Sequence, residues 1–149
     1  MKLLIDTNVI LDMVFQRNGC DSSMKLFRKI RDNGDSAYIT ASSVTDLFYI
    51  IRKEIHDTGQ TYVIMENIFK LVSVLSVTEK DIQDAFGQKW EDFEDCVQYI
   101  TGKNSGADYI ITVNGRDYAD ASLPVQTPAN WIVENDRRLG VPNEKHNRT

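Results

Sequence analysis

Lys2-Leu3-Leu4-Ile5-Asp6-Thr7-Asn8-Val9-Ile10-Leu11-Asp12 is the stretch that decides how the rest of the chain reads. Leu3, Leu4 and Ile5 leave no polar alternation, so the run reads as a short strand covered on both faces. Asp6 closes it. A carboxylate there stands at the carboxyl end of a core strand, where open α/β sheets bind ligands. An ionised acid beside a core is costly unless something pairs with it. Its natural partners are a helix N-terminus or a bound cation. Taken alone, Asp6 also reads as an ordinary cap for a helix opening near Val9.

Outward from this stretch, short apolar runs alternate with helix-period stretches. Further strands are predicted at Ala37–Thr40, Val72–Val77 and Tyr109–Val113, with a weaker one at Val125–Thr127. Asp21 or Ser22 reads as the cap of a helix carrying Met24, Phe27 and Ile30, ended by Asn33-Gly34. Ser43 reads as the cap of a second, with Val44, Leu47, Phe48, Ile51 and Ile55 on one face, broken at Asp57-Thr58-Gly59. Val63, Ile64, Ile68 and Phe69 mark a third. Thr78-x-x-Asp81 opens a fourth as a capping box, and Asp92 repeats that logic ahead of Cys96, Val97 and Ile100. Strand–helix alternation implies an α/β fold: three layers, α/β/α, around a mainly parallel sheet of about five strands. One domain is expected over residues 1–132. Residues 133–149 lose apolar periodicity and read as a flexible C-terminal tail.

The chain has 149 residues, 42% of them hydrophobic and 26% charged, which suits one soluble domain. Its net charge of −5 argues against a broad basic face gripping nucleic acid, but leaves room for local phosphate contacts. Cys20 and Cys96 have neither metal nor disulfide spacing and read as reduced thiols, favouring a cytoplasmic setting. The N-terminal Met-Lys runs straight into a strand and does not read as a signal peptide. No apolar run nears the roughly 18 residues of a membrane span. His56 and His146 lack any catalytic or zinc spacing and read as surface residues.

Acids recur at equivalent places in the alternation. Asp6 follows the first strand. Asp46 falls in the first turn of the helix after the second strand. Asp95 falls in the first turn of the helix leading to Tyr109–Val113, and Asn114 and Asp117 follow that strand. A parallel sheet brings these positions to one edge. Three or four carboxylates in one cleft repel, and a divalent cation resolves the repulsion. Oxygen ligands without His or Cys select hard ions such as Mg²⁺ or Mn²⁺.

Four segments together resemble a PIN-domain nuclease of the bacterial toxin-like branch. They are Leu3 to Asp12, Tyr38 to Tyr49, Asp92 to Tyr99 and Ala107 to Tyr118, with Val125 to Pro128 similar to that branch's closing strand and turn. Asp46 stands where the family usually has Glu, and Asn114 where most members have an acid. The resemblance implies a metal-dependent endoribonuclease, often the toxin of a toxin–antitoxin pair, with RNA as substrate, an antitoxin protein as partner and a homodimer as assembly. It implies that Asp6, Asp46 and Asp95 hold a Mg²⁺ or Mn²⁺ ion. Asn114 would ligate weakly or orient a water, and Asp117 would support a second ion or the same one. Asn8 and Thr112 would hydrogen-bond the carboxylates. Arg116, between Asn114 and Asp117, is a phosphate candidate.

Two other readings compete. A haloacid-dehalogenase-type phosphotransferase also opens on a strand ending in Asp, but its motif needs a second Asp where this chain has Asn8. A catalytically silent PIN-like module would bind RNA or protein without cutting. Several residues have plain readings too. Asp46 suits a solvated first-turn acid, Asp95 a capping-box partner of Asp92, and Asn114-Gly115 a turn. Glu91, Asp92 and Glu94 read as a solvated acidic cluster. The basic run Lys25, Arg28, Lys29 and Arg31, like Arg52 and Lys53, reads first as a solvated face and second as an RNA contact.

Overall fold

The structure is a computed structural model that describes residues 1–140. Its sheet has five strands: β1 (Lys2–Ile5), β2 (Ser36–Thr40), β3 (Ser73–Leu75), β4 (Tyr109–Ile111) and β5 (Val125–Gln126). The order is β3-β2-β1-β4-β5 and every pairing is parallel. β1 lies in the middle, with Leu4 registered against Tyr38 on one side and Ile110 on the other.

Among the described residues, seven helices cover the sheet: α1 (Thr7–Val14), α2 (Cys20–Asn33), α3 (Ala41–Ile55), α4 (Thr58–Phe69), α5 (Glu79–Gln88), α6 (Phe93–Asn104) and α7 (Pro128–Leu139). The period-2 geometry of a strand sends alternate residues to opposite faces. Leu3 and Ile5 accordingly join one core with Val9, Leu26, Leu47, Ile51, Met65 and Trp131 from α1–α4 and α7. Leu4 joins the other, with Ala85, Cys96, Val97 and Ile100 from α5 and α6. The three-layer parallel architecture expected from the alternation is the one observed. Gly102 lets α6 settle on the sheet, because a Cβ there would meet Leu4 Cδ2 at 2.7 Å.

Helix starts follow side-chain chemistry more closely than hydrophobic pattern. The Thr78–Asp81 capping box forms as expected, and Asp92 caps α6 by accepting from the Asp95 amide at 3.0 Å. The α3 cap is Thr40, not Ser43. Thr40 Oγ1 accepts from the Ser43 amide at 3.3 Å, and the buried Ser43 hydroxyl is tied to it at 2.9 Å. The helix therefore begins at Ala41, and Asp46 lies in its second turn instead of its first. α2 starts at Cys20, ahead of the expected Asp21 or Ser22, and Met24 faces solvent while Leu26, Phe27 and Ile30 are buried.

The C-terminal boundary also moves. Residues 133–139, expected as the start of a tail, continue α7, which Thr127 caps and Pro128 begins. Fully buried Trp131 and an ion pair from Lys29 to Asp136 at 3.0 Å fix this helix to the body. The remainder of the expected tail, residues 141–149 with His146, lies outside the described residues. Among the described residues, no helix is long and apolar enough to cross a membrane.

Candidate active site

All strands being parallel, their carboxyl ends share one edge of the sheet. α1 and α3 start at that edge because each follows a strand. α6 starts there because a helix leading into a parallel strand runs against it. A cleft of about 500 Å³ opens on this edge, and Asp6, Asn8, Asp46, Asp95 and Asp117 all line it. Residues far apart in the chain thus meet in one hollow.

Asp6 is its fixed point. It is 3% exposed, and its amide donates to the Ile111 carbonyl at 2.9 Å. The buried Thr112 hydroxyl donates to Asp6 Oδ2 at 2.7 Å. The Asn114 amide in turn donates to Thr112 Oγ1 at 3.1 Å, which orients that hydroxyl. Asp6 occupies the N-cap position of α1, yet its side chain makes no capping hydrogen bond. Burial pushes its carboxyl above the ordinary carboxylate range, while Thr112 and the Thr7 amide act in the opposite direction.

Asp95 is half-buried in the first turn of α6. Its carboxyl is pushed up to about 7, first by burial and then by the charges of Asp6, Asp92 and Asp117. Glu94 is also raised, first by desolvation and then by the charge of Asp46. Glu91, Asp92 and Glu94 are exposed, as a solvated cluster is, and Asp92 and Glu94 also line the cleft.

Asn114 and Arg116 are placed differently from the acids. Both are exposed, Asn114 just ahead of the 3₁₀ turn Gly115–Tyr118 and Arg116 on it, and neither lines the cleft. Asn114 bears on the site through its backbone amide. Asn8 lines the cleft, but no hydrogen bond ties it to Asp6 among the described residues. Asp12 packs its carboxylate against Gly19, away from the site.

Two residues at the site escaped the sequence reading. Gln98 lies one turn beyond Asp95, is 4% exposed, and has an Oε1 buried at the cleft wall without a hydrogen-bond partner among the described residues. The i, i+3 spacing from Asp95 was the available signal. Tyr118 is 1% exposed; among the described residues its hydroxyl has no hydrogen-bond partner of standard geometry, but it lies close enough to Asp6 to act on that carboxyl. Burial, then the charges of Asp6 and Asp95, raise its ionisation far above the ordinary tyrosine value. Only folding brings that phenol to the acids.

The donor set suits a hard divalent cation: several carboxylates, a carboxamide oxygen lacking a partner, and no sulfur or imidazole on the wall. The mutual repulsion felt at Asp95 is what such a charge relieves. Among the described residues, however, no three His, Cys, Asp or Glu side chains already stand in a metal-holding group. Side-chain rotation would have to close them on an ion. A larger groove of about 700 Å³, lined by Met24, Phe27, Ile30 and Phe69 among others, lies between the α2 and α4 flanks; it lacks the acid cluster and is not where hydrolysis would be sited.

An all-parallel α/β/α domain with an acidic cleft at the carboxyl edge of its sheet defines the class. More specifically, residues 2–116 match the PIN domain, and the chain belongs to that family. Family membership decides between the two enzyme families weighed from the sequence. Among curated proteins, none matches. Solved structures share the fold. VapBC2 from Rickettsia felis, bound to a DNA fragment from its promoter, is 13% identical with a TM-score of 0.68, covering 85% of this chain and 98% of its own. VapBC-1 from nontypeable Haemophilus influenzae is 17% identical with a TM-score of 0.66, covering 87% and 99%. VapC20 from Mycobacterium tuberculosis, described as a toxin cleaving the sarcin-ricin loop, is 10% identical with a TM-score of 0.61, covering 79% and 94%.

Proposed function

We propose that the chain is a divalent-metal-dependent endoribonuclease that hydrolyses RNA phosphodiester bonds in the acidic cleft. The observation that carries this reading is the convergence of Asp6, Asp46, Asp95 and Asp117, from four separate segments, on one hollow. The upward push on Asp95 supports it, since a buried acid crowded by acids is a common mark of a functional site. Mg²⁺ or Mn²⁺ would be held by Asp6, Asp46 and Asp95, with Asp117 supporting the same or a second ion. Such an ion, when bound, lowers the pKa of a water to make a nucleophile and offsets charge growing on the scissile phosphate.

The chain's own residues would set the geometry. Thr112 pins one oxygen of Asp6, which lines the cleft. Gln98 offers its carboxamide oxygen from the wall. Asp46 is one methylene shorter than the family's usual Glu and would act through a water. Asn114 would act on Thr112 and not as a ligand. Arg116, exposed beside Asp117, would meet a phosphate outside the cleft. By likeness to the toxin–antitoxin structures, we further propose a cytoplasmic toxin role, an antitoxin protein as partner and a homodimer.

The deciding experiment is cleavage of a mixed RNA pool with Mg²⁺ or Mn²⁺, comparing the wild type with Asp95→Asn. Metal-dependent cleavage that Asp95→Asn loses supports the proposal; equal cleavage by both proteins refutes it. The absence of a ready-made three-acid group among the described residues favours one second reading, a silent module that binds without cutting. No cleavage, together with no Mn²⁺-induced rise in melting temperature, selects that reading.

A further inference from the structure

Beside the acidic cleft lies a second, smaller hollow of about 320 Å³, formed by Tyr49, Arg52, Lys53, His56 and Thr58. Tyr49 lines both hollows. On α3, Asp46, Tyr49 and Lys53 are spaced i, i+3 and i+7, so they share one helix face. At the rise of an α-helix, Lys53 stands about 10 Å beyond Asp46 along the axis. A path therefore runs from the acids, across an aromatic ring, to cations.

Position in the helix accounts for part of this. Arg52 and Lys53 in the last turn complement the helix dipole. It does not account for Tyr49, a large ring left 58% exposed between the two hollows, with the Lys53 ammonium 6.0 Å from its centroid. Nor does it account for the concavity. Among the described residues, neither Arg52 nor Lys53 is engaged in an ion pair. The chain is net acidic and the cleft more so, and a polyanion approaches such a site only where local cations admit it.

We infer that this hollow binds the phosphate backbone of single-stranded RNA next to the scissile bond, with one base stacked on Tyr49. The inference rests on RNA being the substrate proposed above. Arg52 and Lys53 receive phosphate, and the Tyr49 ring takes a base of any identity, since every base has a π-face. The site gives affinity and strand direction without base specificity.

The test is anisotropy of a labelled mixed-sequence single-stranded RNA of about twelve nucleotides, a length within the usual range of such sites. EDTA prevents cleavage, and salt is varied. The paired change Arg52→Gln with Lys53→Gln is expected to weaken binding about tenfold or more and to flatten the log K against log salt slope by about 1.4, two single-strand phosphates' worth. Tyr49→Ala is expected to weaken binding about tenfold with the slope unchanged, while Tyr49→Phe binds normally. Three results overturn the inference. The wild type does not bind, or the variants bind like wild type with the same slope, or Tyr49→Ala alters oligomeric state by sedimentation while RNA binding is intact. The last assigns the face to a protein. Cleavage by the wild type with binding unchanged in the variants sinks this site alone. Binding that depends on the hollow, without any Mn²⁺-dependent cleavage, sinks the nuclease reading alone.

Discussion

Asp95→Asn should make the metal-free protein more stable at alkaline pH while changing little at acid pH. The Asp95 carboxyl is held near 7 in the folded chain against an ordinary value of 3.8. The folded state therefore binds this proton more tightly than the unfolded state. That contribution to stability is fully present below about pH 4 and is lost as pH rises through about 7. A full shift of this size is worth about 4 kcal/mol at about 1.4 kcal/mol per unit. Asp95 is only half-buried, and water and salt screen the repulsion, so about 1–2 kcal/mol is the realistic gain at pH 8. For a domain of this size that is a rise of roughly 2–8 °C in Tm. The assay is thermal unfolding followed by circular dichroism in EDTA at pH 4.5 and pH 8, wild type against variant. A variant no more stable than wild type at pH 8, or equally stabilised at both values, refutes the crowded-acid account.

Other expectations use separate features. Asp6→Asn should leave the circular dichroism spectrum unchanged and cut metal-dependent RNA cleavage by about 100-fold or more, measured on a labelled RNA pool. Retained activity contradicts the site. Thr112→Val removes the hydroxyl that donates to buried Asp6 and should cost about 1–3 kcal/mol in urea unfolding; Thr112→Ser should recover most of it. Gly102→Ala drives a methyl toward Leu4 in a filled core and should cost about 1–3 kcal/mol in the same assay. Mn²⁺ added at pH 8 should raise the Tm of the wild type by several degrees and that of Asp95→Asn by clearly less; equal rises would mean that the ion binds elsewhere.

Much of the fold was legible because its signals are local. The apolar run Leu3-Leu4-Ile5 has the continuous character of a strand buried on both faces, and it sits at the centre of the sheet. The Thr78 and Asp92 caps are readable because the cap and its recipient amide lie within one turn. The α3 start was misplaced because Thr40, at the end of β2, serves both elements, and a pattern search prefers a cap clear of the strand. α7 was not expected because its buried face is made of Pro128, Trp131 and Asn135, of which only Trp131 is a large apolar side chain. The aspartates of the cleft stood out because helix starts and strand ends carry them. Gln98 and Tyr118 did not, because a buried orphan amide or phenol exists only after helix, sheet and turn have met.

The bond from Thr112 to Asp6 joins groups 106 positions apart in sequence. A ribosome making this chain emits Asp6 long before Thr112 and Asp117. β1 meanwhile lacks β4 as a neighbour, so the hollow has neither its floor nor its last wall. A copy made only as far as α5 has an Asp6 carboxyl with neither its hydroxyl partner nor the acids of α6 and the 3₁₀ turn around it. The acidic hollow is complete only once the fourth strand and the turn after it have joined the sheet.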